Sequence, residues 1–329
     1  MIFVDNENNN DPRINLAIEE YLLRNLKIDV DILLFYINEP SIIIGRNQNT
    51  LEEINLPYVE QHNIHVVRRL SGGGAVYHDL GNLNFSFINN SGKEDLHNFK
   101  KFTAPVIHFL NKLGVAASSS GRNDILVDGL KISGNAQYIT GKRMVSHGTL
   151  LFNSNLSHVS DALNVKISKI SSKGIKSVRS RVANIIDYLD NPMDILEFRA
   201  LLKNDILMQS GIEEYSLSAD DWTAIRNLAD ERYFRWEWNF GRSPAFNIQR
   251  TQRFPVGEID ARIDVLDGVI KGIKIYGDFL GLSDISTIED QLLAVRYERS
   301  SLEESLQGLD LKQYFGEISI GELVNFLYG

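Results

Sequence analysis

Within the stretch 66–88, VVRRLSGGGAVYHDLGNLNFSFI, two arginines and three successive glycines stand between two strand-like apolar runs. The chain must turn there, and it must do so on residues without Cβ atoms. Amides of Gly72, Gly73 and Gly74 can then approach phosphate or carboxylate oxygens in conformations that other residues reach only with strain. Arg68 and Arg69 bring positive charge to the same spot, and Tyr77, His78 and Asp79 follow the turn. A hairpin that only reverses the chain needs none of these neighbours. The segment reads as an anion-binding loop between strands.

A chain of 329 residues exceeds the size of roughly 250 residues at which one core tends to split, so two unequal domains are expected. The hydrophobic fraction of 43% and charged fraction of 23% are those of an ordinary globular protein with a sizeable core. No apolar run approaches the length of a membrane span. The start, MIFVDNENNN, lacks the basic and apolar regions of a secretory signal, which makes the cytoplasm the expected location. A net charge of -9 argues against a general nucleic-acid binder and leaves Lys/Arg clusters as local anion sites. Cysteine is absent, which removes disulfides, thiolate metal sites and thioester mechanisms together.

Along the chain, Asp11-Pro12 reads as an N-cap and first helical residue, and Leu16, Ile18, Tyr21, Leu22 and Leu23 give the helix its core face. Strands are expected over 31–37 and 41–45, a short helix over 56–61, and a half-buried alternating strand over 82–88. Apolar residues recur at three and four over 95–113, predicting a long helix. Strands follow over 115–119, 125–127, 131–139 and 144–152, with a hairpin turn at Asp128-Gly129 and a weaker one at Thr140-Gly141. The segment 166–181 is rich in Lys, Arg and Ser without an acidic residue and reads as a mobile basic loop. Helices are expected over 193–210 and after Ser218, whose Asp221 completes a capping box. The turn-forming GRSPAF at 241–246 makes a domain end. Beyond it, a hairpin around Asp267-Gly268 and helices over 287–295 and from Ser319 make a smaller unit.

Chemistry concentrates in the glycine loop, in GRNDILVDGLKISGNAQ at 121–137 and in SHGTLLF at 146–152. Lys131 lies in a hairpin just before the small residues Ser133 and Gly134. Its ammonium near an anion loop suits an oxygen that gains charge in a transition state. Asn123 and Asp124 suit Mg²⁺ on a nucleotide, since this cation is commonly held by one or two carboxylates together with phosphates; the pattern equally fits an Asp124 that only ends a strand. No GxxxxGK[ST] is present, and Tyr77 stands where GxGxxG needs its third glycine, so both common nucleotide loops are excluded. The seven histidines show no HExxH or other paired metal spacing, and His147 before Gly148 suits either a pocket wall or a core position with a backbone partner.

RRLSGGGAVYHDLGNLNFS, GRNDILVDGLKISGNAQ, HGTLLF and KGIKSVRSRVANI together resemble, in the same order, the bacterial lipoate-protein ligases of the biotin/lipoate ligase superfamily. WEWNFGRSPAF at 236–246 is similar to the end of that family's large domain. The resemblance implies an α+β fold: a large catalytic domain of mixed β-sheets and surrounding helices over 1–246, and a small α+β accessory domain over 247–329. It implies that lipoate and Mg-ATP give lipoyl-AMP and pyrophosphate, after which the lysine of a carrier domain takes the lipoyl group. Carriers of this kind are the glycine-cleavage H protein and the E2 subunits of 2-oxoacid dehydrogenases. A monomer without membrane or nucleic-acid partners is expected.

Carried over residue by residue, the nucleotide and adenylate positions are Arg69, Gly74, Ala75, Val76, Tyr77, Asn82, Asp124 and Lys131, with Lys173, Val178 and Arg179 in the basic loop. Lipoate positions are Arg69, Ser71, Gly72, Gly73, Lys131 and His147. Lys131 is the catalytic contact to both the acyl carboxylate and the α-phosphate, and Asp124 the position for Mg²⁺. Either Arg68 or Arg69 is expected to meet the departing pyrophosphate, and the loop 173–181 to close over the adenylate. Acyl transferases of the superfamily that work through a cysteine thioester are excluded by the lack of cysteine. Biotin ligases resemble a different loop, GRGRxGRxW. A binding module that kept the pocket without the reaction differs from a ligase in one respect, lipoate-dependent exchange of pyrophosphate into ATP.

Overall fold

The computed structural model describes residues 1–26, 28–90, 95, 97–120, 123–163, 182–210, 213–241 and 247–328. Its strands are β1 (Ile2–Val4), β2 (Ile32–Ile37), β3 (Ser41–Ile44), β4 (His65–Arg68), β5 (Val76–His78), β6 (Asn82–Asn90), β7 (Ser118–Ser120), β8 (Asp124–Val127), β9 (Leu130–Thr140), β10 (Arg143–Leu151), β11 (Glu213–Tyr215), β12 (Ile248–Phe254), β13 (Gly257–Leu266) and β14 (Val269–Gly277). Its α-helices are α1 (Pro12–Arg24), α2 (Thr50–Glu53), α3 (Leu56–Gln61), α4 (Phe99–Lys112), α5 (Leu156–Ala162), α6 (Ile195–Ser210), α7 (Ala219–Leu228), α8 (Trp236–Asn239), α9 (Ser286–Leu292), α10 (Arg299–Leu306), α11 (Leu311–Phe315) and α12 (Ile320–Tyr328).

Eight strands form one sheet in the order β11-β1-β2-β6-β10-β9-β8-β7, and β4-β3-β5 form a second. Pairing is mixed: β1 runs parallel to β2 and β11, whereas β2, β6, β10, β9, β8 and β7 are antiparallel in succession. The fold is therefore α+β, as expected. Helix α1 starts where Asp11 accepts the Arg13 amide, with Pro12 as first residue, and packs Leu16, Leu22 and Leu23 with Ile225 of α7 on one face of the sheet. Helices α4 and α6 cover the other face through Val106, Phe109, Leu110, Phe198 and Leu202.

Strand β6 lies between β2 and β10, so its residues are buried from Asn82 to Asn89 instead of half-buried. The alternation is nevertheless real. Leu83, Phe85 and Phe87 join the core under α4, while Asn84 lines a cavity and Ser86 donates to Glu19. Polar side chains that looked solvent-directed in the sequence face an internal site.

The last unit has its own core, in which Ile259, Ile263 and Ile275 pack with Leu292, Leu302, Phe315 and Leu323. Its three-stranded antiparallel sheet, β12-β13-β14, turns at Asp267-Gly268, where both residues have positive φ. Ser319 and Glu322 cap α12 reciprocally. The sequence pattern missed β12, whose residues are mostly solvent-facing and polar. The segment after β14 lies on the first unit: the Gly73 amide donates to the Phe279 carbonyl at 3.0 Å, Ile139 donates to Leu282 at 3.3 Å, and Gly277 donates to Asn47 at 2.8 Å. Arg46 pairs with Asp284 across the same contact. Among the described residues no helix is long and apolar enough to cross a membrane.

Candidate active site

Lys131 is aimed by an irregularity in the β8–β9 ladder. Register slips between Ile125 and Leu126, so that Ile125 faces Ser133 while Leu126 faces Lys131. A bulge of this kind bends the strand and redirects a side chain. The ammonium sits 2.9 Å from the Asp124 carboxylate, with both side chains about one-third exposed (37% and 33%). A Cβ on Gly134 would lie 2.8 Å from the Lys131 Nζ, so glycine at 134 makes room for the ammonium. The Lys131 carbonyl accepts the Ala183 amide at 3.0 Å.

Two cavities meet at this lysine. One is lined by Leu16, Tyr36, Ile43, Arg69, His78 and His147 together with Asn123, Lys131 and Gly134, and by Gly73, Gly74, Ala75 and Val76 of the glycine loop. The second is larger, ≈ 520 Å³ against ≈ 120 Å³, and includes Tyr77, Asp124, Leu126, Gly129, Leu151 and Val182. Ala75, Val76, Lys131, Gly134 and Thr149 belong to both. The cavity wall is held by paired asparagines. Asn135 donates to the Asn123 carbonyl at 3.0 Å and Asn123 donates back to the Asn135 carbonyl at 2.5 Å. Gly148 lets Asn135 cross β10, since a Cβ there would lie 2.1 Å from Asn135 Oδ1.

The arginines before the glycine loop divide their work. Arg68 is 1% exposed and donates to the carbonyls of Gly45, Arg46, Gln48 and Trp238 and to the Thr50 hydroxyl. It ties the loop 45–50 and α8 to β4 and lines neither cavity, unlike Arg69. Arg69 lines the first cavity. Its Nε donates to Ser71 Oγ at 3.0 Å, and its terminal nitrogens donate to the carbonyls of Ile43, Gly72 and Gly74 at 3.0, 2.6 and 2.9 Å. The guanidinium thus shapes the glycine loop from within. Burial pulls it down to about 10, against the opposing effects of Tyr36 and Glu19.

Ser71 and Gly72 line neither cavity; Ser71 is fully buried, and a Cβ on Gly72 would lie 2.5 Å from the Phe279 carbonyl oxygen. Asn82, also buried, donates to Asn84 at 3.0 Å and pairs in register with Leu151, a lining residue of the larger cavity. Lys173, Val178 and Arg179, with the rest of 173–181, lie outside the described residues.

His147 brings in a residue that the pattern did not single out. Its Nδ1 is 2.8 Å from Glu19 Oε1, and its Nε2 is 2.6 Å from Ser71 Oγ. Glu19 is 4% exposed and also accepts the Ser86 hydroxyl. Burial pushes its carboxyl up, but the hydrogen bonds from His147 and the Ser86 hydroxyl and the Arg69 charge together hold it below the ordinary range. His78 is lowered to about 3 by burial and by the Arg69 charge, and its Nδ1 meets the Asn38 amide at 3.0 Å. One trace of Glu19 was present in the sequence. It falls three residues after Leu16 and three before Leu22, on the apolar stripe of α1, where a charge calls for a buried partner.

The family model for the lipoyl protein ligase A/B catalytic domain matches residues 11–207, and that for the bacterial lipoate protein ligase C-terminus matches 243–327. The chain is 56% identical to lipoate-protein ligase LplJ of Bacillus subtilis (strain 168) over 331 aligned positions, covering all of both chains. Among solved structures it is similar to P. falciparum LipL1 in complex with lipoate, with TM-score 0.78, 26% identity and 94% of each chain covered. A bipartite lipoate protein ligase from Thermoplasma acidophilum, described with its E2 lipoyl domain, gives TM-score 0.65 and 32% identity over 75% of this chain and 98% of that one. Lipoate-protein ligase A bound with ATP gives TM-score 0.62 and 30% identity over 73% of this chain and 97% of that one.

Proposed function

The chain belongs to the lipoate-protein ligases, and from that membership we propose that it activates lipoate with ATP to lipoyl-AMP and then transfers the lipoyl group to the lysine of a carrier domain. What supports this reading above all is the position of Lys131, at the junction of a narrow cavity and a wide one. The narrow cavity takes the acyl chain, with its tail toward Tyr36 and His147, and the wide one takes the nucleotide. The lipoate carboxylate then meets the α-phosphate beside the ammonium. Attack forms the acyl–phosphate bond and breaks the bond to pyrophosphate. The two reacting groups are both anionic, so a fixed cation between them lowers the barrier and afterwards holds the mixed anhydride. In the second step a carrier lysine amine attacks the acyl carbonyl and AMP leaves.

Asp124, beside Asn123, would hold Mg²⁺ together with the phosphates. A single carboxylate fits a cation that keeps waters and phosphate oxygens as its other ligands, and among the described residues no group of three or more metal-binding side chains is assembled. When bound, the ion neutralises phosphate charge. We assign the catalytic domain to 1–246 and the accessory domain to 247–329, in a monomer acting on the H protein and E2 lipoyl domains.

Intact-mass measurement of purified carrier domains with ATP, Mg²⁺ and lipoate tests the reaction and the partners together. Each true carrier gains one lipoyl group. No gain on any carrier, together with no lipoate-dependent exchange of pyrophosphate into ATP, defeats the reading. Because the Phe279 carbonyl occupies the Gly73 amide, we also expect the accessory domain to leave the glycine loop between adenylation and transfer. Structures of the free and adenylate-bound protein with the same domain orientation would refute that.

A further inference from the structure

Arg69 is a buried cation, 6% exposed, whose hydrogen-bond acceptors among the described residues are all neutral oxygens: the Ser71 hydroxyl and the carbonyls of Ile43, Gly72 and Gly74. A buried charge without compensation is costly. Its counter-charge stands two groups away. Glu19 accepts the Ser86 hydroxyl and lies 2.8 Å from His147 Nδ1, an arrangement that places the imidazole proton on Nδ1, toward the carboxylate. His147 Nε2 then accepts the Ser71 hydroxyl proton at 2.6 Å, and Ser71 Oγ in turn accepts the Arg69 Nε–H at 3.0 Å. The chain runs donor to acceptor without interruption from the guanidinium through a hydroxyl and an imidazole to the carboxylate. Bonds aligned in this way polarise one another.

The consequence concerns where a carboxylic acid settles in the cavity. Arg69 and Lys131 line the same smaller cavity, but only Lys131 also lines the larger one, and Arg69 is 6% exposed where the Lys131 side chain is 37% exposed. An uncompensated Arg69 would draw a substrate carboxylate inward, away from the nucleotide. We propose that Glu19 is a positioning residue that cancels the Arg69 charge through His147 and Ser71, so that the carboxylate of the acid is held at Lys131, where it meets the phosphate. This rests on the reading of the narrow cavity as the acyl site.

The test compares lipoate with its neutral analogue lipoamide in calorimetric binding without ATP, on wild type and on Glu19→Gln, together with KM and kcat for lipoate-dependent pyrophosphate release. Glutamine keeps an acceptor for His147 and removes the charge. Expected for the variant is a preference for lipoate over lipoamide raised about tenfold, the size of a charge interaction across several ångströms at an intermediate effective dielectric. KM for lipoate falls and kcat falls with it, because the acid is held more tightly but further from the nucleotide. Glu19→Asp, which keeps the charge, retains the wild-type preference. Equal weakening of lipoate and lipoamide, an unchanged preference, or the same shift in Glu19→Asp overturns the proposal. If Glu19→Gln alone does not fold, the double variant with Arg69→Met restores neutrality and must fold; its failure also overturns the proposal. Wild-type protein that binds neither compound defeats the acyl-site reading itself, a result separate from an unchanged preference.

Discussion

Lys131→Ala is expected to lower lipoate-dependent pyrophosphate release by roughly two to three orders of magnitude, the usual loss when one preorganised charge is removed from a developing anion. Stability should change by no more than about 0.5 kcal/mol, as for most surface substitutions. The two expectations come from different observations. The ammonium stands where the two cavities meet, so the chemistry loses its fixed cation. The side chain is 37% exposed and its pair with Asp124 is similarly open, and ion pairs of that exposure contribute little to folding. Stopped or continuous pyrophosphate assays beside a thermal melt measure both. Wild-type release from a folded Lys131→Ala protein would take Lys131 out of the mechanism.

Gly45→Ala is expected to destabilise the protein by about 3 kcal/mol, at the upper end for overpacking a tight site, and to lower kcat/KM for lipoate at least tenfold. A Cβ at this position would lie 1.9 Å from the Gly73 carbonyl oxygen and 3.1 Å from Gln48 Oε1. Backbone has to move, and the backbone in question is the glycine loop. Gly268→Ala provides the contrast. Its φ is +73 with nothing within 4 Å of an added Cβ, so the substitution introduces only local strain of about 1–2 kcal/mol, in a hairpin that lines neither cavity, and activity stays unchanged. Chemical denaturation and steady-state kinetics on the pair separate a close approach of two segments from a turn that prefers glycine. Equal effects on activity would remove the structural role assigned to Gly45.

Much of the local structure was legible because it depends on neighbours in the chain. Asp11-Pro12 starts a helix, and Ser218 with Asp221 closes a capping box. Asp128-Gly129 and Asp267-Gly268 turn hairpins through positive φ. Each of these is settled within four residues. The strand over 82–88 shows the boundary of such reasoning. Its alternation was readable, but whether Asn84 and Ser86 look at water or at a site depends on which strands flank β6 and which helix covers them, and those partners lie far off in sequence.

The motifs themselves identified the kind of protein: a glycine loop with arginines, a lysine in a hairpin before small residues, and no cysteine to carry an acyl group. It was their resemblance to a known family that did so, since residue type and spacing alone indicate only backbone amides and fixed cations gathered for an anion. What only the tertiary structure decided is how the charges are shared. Two adjacent arginines look equivalent in the chain, yet β4 ends at Arg68 and Arg69 opens the glycine loop, so the two side chains meet different partners. Arg68 is consequently used up on the carbonyls of the loop 45–50, and Arg69 turns toward the cavity. Glu19 reaches His147 across 128 positions of sequence, a contact created by laying α1 against the face of the sheet that β6 and β10 share. Burial makes that contact matter, since a charge removed from water must find its counterpart in the fold.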